Sequence, residues 1–148
     1  MSNNKTVENL NKALQMEISA SHQYQLHAHV LDDWGLDRLA AKMREEQAEE
    51  AGHSDLFIER ILFLNGLPNF QAIHKLKVGE TVEEILKADL AMEMEAIPLL
   101  KEAAEYCQSV RDFATGQIFE DILASEEEHV DFLETQFDMI ARMGLENY

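Results

Sequence analysis

Two short motifs, Glu50-Ala51-Gly52-His53 and Glu126-Glu127-Glu128-His129, each set a carboxylate and an imidazole one helical turn apart, and the second repeats the first at a sequence offset of 76. A further glutamate precedes each motif by one and the same interval of 33, Glu17 before Glu50 and Glu93 before Glu126. On an α-helix, residues i and i+3 share one side, so each Glu-x-x-His presents both groups together. Four carboxylates and two imidazoles in two equivalent halves suit a pair of metal ions. Two divalent cations would offset four negative charges, and two neutral histidines would supply one nitrogen to each metal. Left unneutralised on core seams, the same glutamates would cost on the order of several kcal/mol. Calcium takes oxygen alone, and structural zinc prefers fewer ligands richer in sulfur or nitrogen, so iron or manganese fits best and iron is the expected metal, though affinity alone excludes neither zinc nor cobalt. One Glu-x-x-His in a helical protein means little; two, each with a partner at the same interval, are a strong signal.

The elements that must position these groups are helical. Proline occurs only at Pro68 and Pro98, glycine is sparse, and apolar residues recur at spacings of three and four. A first helix, Val7 to Leu31, carries Leu10, Leu14, Glu17, Ser21, Tyr24 and Ala28 on one stripe. A second, Leu36 to Asn65, carries Met43, Glu46, Glu50, His53, Phe57 and Ile61, with Gly66 as its C-terminal cap. Thr81-Val82-Glu83-Glu84 has the form of a capping box and opens a third helix, which runs to Cys107 with Leu86, Leu90, Glu93, Ile97 and Leu100 inward. Pro98 predicts a kink or local break in it. A fourth, Asp112 to Met143, aligns Phe119, Ile122, Glu126, His129, Leu133, Phe137 and Ile140.

The repeated interval adds geometry. Residues level with one another in an antiparallel hairpin are equidistant from its turn, and the midpoints fall at Asp33-Trp34 and Ser109-Val110, where both patterns break. Each glutamate pair therefore lies about 16 residues, or ~24 Å, from its turn. Gly66 to Glu80 lacks a helical signal, and its roughly 15 residues reach up to ~50 Å. That length suits a crossover that leaves the second and third helices parallel.

The chain of 148 residues has 46% hydrophobic content and reads as one domain, 1–148. Its formal charge of −17 argues against nucleic acid or acidic membrane as partner and favours cations. The lone Cys107 excludes an internal disulfide or a thiolate cluster. No apolar run is long enough to span a bilayer, and Met1-Ser2-Asn3-Asn4-Lys5 is no secretory signal, so the expected location is the cytoplasm.

Beyond the six ligands, Gln23-Tyr24, Asp33-Trp34-Gly35-Leu36, Ile58-Glu59-Arg60-Ile61-Leu62-Phe63-Leu64, Gly66-Leu67-Pro68-Asn69 and Met143-Gly144-Leu145 closely resemble the bacterioferritins and their haem-free bacterial ferritin relatives over essentially the whole chain. The resemblance implies an all-α, ferritin-like antiparallel four-helix bundle with a long crossover between helices 2 and 3 and a short or absent fifth helix. It implies a 24-subunit cage that stores iron, with a ferroxidase oxidising Fe(II) by oxygen or hydrogen peroxide at a di-iron site of Glu17, Glu50, His53, Glu93, Glu126 and His129. Tyr24 matches a tyrosine beside that site that supplies an electron; read from the residues alone it is equally a core tyrosine bonded to a ligand glutamate. A ferredoxin-type electron donor is the expected partner for iron release.

Departures accompany the resemblance. The family's haem-ligating methionine is replaced by Ala51, and Met43, the nearest methionine on that helix, is about 80° away around the axis. Either the cage lacks haem b, or a related subunit supplies the methionine in a mixed cage. Glu45 and Glu49 stand where some members carry a histidine and an aspartate at an inner-surface iron site; they form either such a site or a solvated acidic face. The chain stops at Tyr148, before the usual fifth helix, which implies a differently lined pore. His22, His27, His29 and His74 match no ligand spacing, and Trp34 reads as a turn anchor. Two other functions stand beside storage: a structural subunit of a mixed cage with a haem-binding sibling, and a small dimeric di-iron peroxidase. Rubrerythrin-like versions of the latter carry a Cys-x-x-Cys iron domain that this sequence lacks.

Overall fold

The computed structural model describes residues 4–148; Met1, Ser2 and Asn3, part of the segment read as lacking a secretory signal, lie outside the described residues. Four helices follow in order: α1 Asn4–Asp33, α2 Asp37–Phe63, α3 Val82–Ser109 and α4 Phe113–Met143. A single 3-10 turn, Leu145–Asn147, stands where a fifth helix was expected to be short or absent.

The helix ends follow local chemistry. Asp112 caps α4 by accepting the Thr115 N–H at 3.2 Å, and Thr81 caps α3 by accepting that of Glu84 at 3.1 Å. The three interhelical C-termini share one device. After α1, α2 and α3, a left-handed residue (Gly35, Asn65 or Arg111) donates three residues back, and the next residue donates five back: Leu36 to Leu31, Gly66 to Ile61, Asp112 to Cys107. This is the Schellman arrangement, and it satisfies carbonyls that the helix would leave orphaned. It corrects the expectation that Gly66 is the left-handed cap. Asn65 takes that conformation at φ 62°, and Gly66 is small for another reason: a Cβ there would lie 2.8 Å from Val7 Cγ1.

Pro98 produces no break; α3 continues through it, with Pro98 exposed on the outer side. The helix gives up one backbone donor there, at a position that faces outward.

Each helix packs on two others, α1 on α2 and α3, and α4 on α2 and α3. Contacts give the directions. His129 meets Glu49 while Arg60 meets Asp112 and Thr115, so α2 and α4 run opposite ways; Tyr24 meets Glu93 while His27 meets Asp89, so α1 and α3 do too. With α1 antiparallel to α2, α2 and α3 are parallel, as a long crossover requires. The result is the expected ferritin-like four-helix bundle.

Two apolar clusters occupy the ends of the bundle. One joins Leu10, Leu14, Phe57, Ile61, Leu100 and Phe119; the other joins Leu31, Met43, Ile85, Leu86 and Leu133. Each fully buried Leu, Ile or Phe contributes about 1.5–3 kcal/mol. These clusters offset a costly polar layer between them, at the height of Glu17, Glu50, Glu93 and Glu126. Ser21, expected on the α1 stripe, is only half-buried; Gln23 and His27 are buried in addition to Tyr24, so that helix hides a broader face than its apolar residues announce.

Candidate metal centre

Glu17, Glu50, Glu93 and Glu126 are 0–2% exposed, one from each helix, and among the described residues no arginine or lysine is buried with them. Between them stand the two imidazoles. His53 Nδ1 is 3.4 Å from Glu17 Oε2, 3.6 Å from Glu50 Oε1 and 3.2 Å from Glu126 Oε1. His129 Nδ1 is 3.3 Å from Glu50 Oε1, 3.5 Å from Glu93 Oε1 and 3.4 Å from Glu126 Oε2. These separations fall within ion-pair reach, yet both Nδ1 atoms and at least one oxygen of each of the four glutamates make no hydrogen bond. Distance without hydrogen-bond direction is what ligand atoms aimed at a shared centre show, because each lone pair points at the centre and not at its neighbour.

The convergent atoms fall into two overlapping groups, Glu17, Glu50, His53, Glu126 and Glu50, Glu93, Glu126, His129, each with its ligand atoms within 4.8 Å of one another. Glu50 and Glu126 belong to both. The donor set thus has two shared carboxylates, two unshared ones and one imidazole at each end, which fits two metal ions.

Without metal the cluster must hold protons. Burial raises Glu50 and Glu93 well above the ordinary carboxylate range, reinforced by neighbouring glutamates, and raises Glu17 as well. Burial also works against Glu126, but the groups crowded around it, Glu93 and His129 first, leave it well below that range. His53 is pulled down by burial and more strongly up by Glu126 and Glu17, to about 10; His129 is raised further by the same balance. In the absence of metal these shifts favour protons on the imidazoles and on most of the carboxyls.

The ligand sets are pseudo-symmetric but their surroundings are not. His129 Nε2 lies 2.5 Å from Glu49 Oε2 and also contacts Glu46, whose other oxygen takes Lys42 Nζ at 3.0 Å. Glu46, Glu49 and His129 form a third group of metal-capable atoms. Carried over to the second Glu-x-x-His motif, the counterparts of Glu46 and Glu49 are Ile122 and Ser125, so His53 has no equivalent support. Tyr24 is equally one-sided: its hydroxyl donates to Glu93 Oε1 at 2.7 Å, and its counterpart is Leu100. Burial first, then Glu93, raises the Tyr24 phenol well above its ordinary value.

Of the expected inner-surface pair, Glu49 reaches the cluster, whereas Glu45 stays largely exposed, with Lys42 Nζ at 3.8 Å. The helical periodicity put Glu46 on the inner stripe but gave it no role; its place one turn before Glu50 was the signal. Gln23, His27 and Asp89 were missed as a group, and they lie buried beside Tyr24 and Glu93.

Ala51 and Gly52 are exposed, beside a cavity of about 350 Å3 lined by Ile18, His22, Ser54, Asp55 and Phe70 among others, with no methionine sulfur in its wall.

A family model described as the ferritin-like domain matches residues 7–143. The bacterioferritin of Brucella melitensis is 47% identical over 97% of this chain and 89% of its own length, and that of Rhodobacter capsulatus 46% over the same shares. A solved structure of the Rhodobacter capsulatus protein, described with a metal-free dinuclear site and haem iron, superposes with a TM-score of 0.95, covering 97% of this chain and 91% of that one. The fold is that of a ferritin-like protein, and its six-residue cluster could hold metal. Within that class, the chain belongs to the bacterioferritin family.

Proposed function

We propose that this protein stores and detoxifies iron as a ferroxidase, oxidising Fe(II) at the six-residue cluster and depositing Fe(III) inside a 24-subunit cage. Family membership points to iron storage, and the observation that supports the site is the set of unpartnered carboxylate and imidazole atoms converging in two overlapping groups. Glu17, Glu50, His53, Glu93, Glu126 and His129 would hold two iron ions, with Glu50 and Glu126 shared. Bound there, iron would supply the electron transfer to oxygen or hydrogen peroxide.

The chain's own groups do the rest. The apolar clusters on either side exclude bulk water, which strengthens every charge interaction within. Loading requires that protons leave His53, His129 and the raised carboxyls, and Glu46 and Glu49 offer His129 Nε2 an anionic partner that fixes the ring with Nδ1 toward the centre. The Tyr24 hydroxyl donates to Glu93 Oε1 at 2.7 Å, so once metal has displaced the proton of Glu93, a proton released as an electron leaves the phenol would have a carboxylate to move to.

Assembly has a surface to use. Leu62, Phe63, Leu67 and Phe70 at the end of α2 and the start of the crossover are more than half exposed, a patch better covered by another copy than by water. A second reading, a mixed cage in which a haem-binding sibling supplies the methionine, is favoured by Ala51 alone and would show as a second chain in protein purified from its source.

Glu17→Ala and Glu126→Ala test the assignment. Both variants should assemble yet lose rapid Fe(II) oxidation by about 100-fold or more, beyond what loss of an outer-shell group costs. Unchanged stopped-flow oxidation in assembled variants would defeat it.

A further inference from the structure

Ser19, Gln23 and His27 recur at every fourth position along α1, all buried, and together they carry the crossover. The N–H of His74 donates to Ser19 Oγ at 2.7 Å, that of Lys77 to Gln23 Oε1 at 2.9 Å, and that of Gly79 to His27 Nε2 at 3.1 Å. Asp89 on α3 completes the set: its Oδ1 accepts Gln23 Nε2 at 2.9 Å and lies 2.9 Å from His27 Nδ1. Because Gly79 donates to Nε2, that nitrogen is unprotonated, and His27 donates through Nδ1 to Asp89.

The location of this network gives it a consequence for the metal centre. Asp89 is one helical turn before Glu93 on α3, and Gln23 and His27 flank Tyr24 on α1. Since α1 and α3 are antiparallel, the contacts of Asp89 with Gln23 and His27 and the contact of Tyr24 with Glu93 are neighbouring rungs between the same two helices. Asp89 is fully buried and its Oδ2 makes no hydrogen bond, a cost that an apolar side chain of similar size would avoid. Buried polar groups of this kind hold a register that apolar packing leaves free to slide.

We propose that Asp89 is a positioning residue for the metal centre: by holding Gln23 and His27 it fixes α1, α3 and the crossover in register, and so places the Tyr24 hydroxyl on Glu93. The inference rests on the proposed metal-binding reading of the six-residue cluster. Asp89 itself touches no ligand atom; it acts through Tyr24 and the backbone of α3.

Co(II) binding to the assembled protein, followed by its visible absorption bands, tests this independently of turnover, alongside amide hydrogen exchange of residues 74–79. In Asp89→Ala the crossover amides should lose protection, the Co(II) bands should change, and Co(II) affinity and rapid Fe(II) oxidation should each fall by about 10-fold or more. Asp89→Asn retains an oxygen acceptor at the Oδ1 position and should restore the bands and most of the affinity. A lowered melting temperature in Asp89→Ala with wild-type Co(II) bands and affinity would reduce Asp89 to a structural residue and overturn the proposal. If Asp89→Ala does not fold, His27→Phe, which keeps a ring but has neither the donor for Asp89 nor the acceptor for Gly79, replaces it: altered bands with weaker Co(II) binding support the positioning role, and wild-type bands and affinity overturn it. If the wild-type protein takes up no Co(II), the metal-site reading fails and this proposal falls with it; if it takes up two per chain and the variants match it, only the positioning role fails.

Discussion

Glu50 and Glu126 each face both imidazoles, while Glu17 and Glu93 face one each, and this sharing follows from one ligand pattern carried twice, once on each helical hairpin. Crowding four carboxylates there makes the metal-free protein sensitive to alkali. His53 holds its proton up to about 10 in the fold against an ordinary 6.5, so the stability this contributes is complete below about pH 6.5 and is lost as pH rises toward 10. The raised Glu50 and Glu93 carboxyls act in the same direction, since their neutral forms are favoured by the fold and are lost as pH rises. Thermal melts of metal-free protein should therefore shift downward between about pH 6.5 and 10, whereas Co(II)-loaded protein, whose ligands are already deprotonated, should shift much less. Parallel melting curves for the two forms would show that the cluster does not hold these protons. Tyr24→Phe separates redox from packing: it should leave metal uptake near wild type, because the ring stays in the core, and slow oxidation by about 10-fold through loss of the Glu93 partner. Stopped-flow rates equal to those of the wild-type protein would reduce Tyr24 to a core residue.

The crossover, the least regular of the elements, is fastened to α1 by side chains. Asn11, Ser19, Gln23 and His27 on α1 each bond its backbone, and Gly79 has no room for a side chain: a Cβ would lie 2.3 Å from the Ile85 backbone nitrogen. Gly79→Ala should destabilise the protein by roughly 1–3 kcal/mol by forcing that backbone apart; a melting temperature indistinguishable from wild type would show that the loop yields freely. This fastening explains what the sequence revealed and what it hid. Helices and seams were legible because side chains repeat with the helical period, and the level pairing of Glu17 with Glu50 followed from symmetric hairpins. The polar stripe of Ser19, Gln23 and His27 was not, because its partners are backbone N–H groups of a loop, and a backbone leaves no pattern of residue types. His27 was accordingly assigned no chemistry, although it joins the crossover to Asp89. The cap after α2 was misplaced by one position for a similar reason: Gly66 is required by Val7, remote in sequence, while Asn65 supplies the left-handed turn. Of the kink or local break expected at Pro98, no break occurs: α3 runs through it, and Pro98 lies on the exposed side.

At the scale of the whole molecule, a formal charge of −17 and an exposed apolar patch on α2 and the crossover pull in opposite directions. Repulsion between copies weakens with added salt, and the apolar contact does not, so assembly should strengthen as ionic strength rises. Among the described residues no helix is long and apolar enough to cross a membrane. The central claim, iron storage by a ferroxidase cage, is tested most directly by sedimentation of the purified protein after aerobic Fe(II) loading, with protein and iron absorbance followed together. Storage predicts one particle whose protein mass is near 24 times that of the 16.9 kDa chain and which carries iron far beyond two ions per chain. A dimer that retains only about two iron ions per chain would contradict it and turn the same six residues into the site of a small di-iron enzyme.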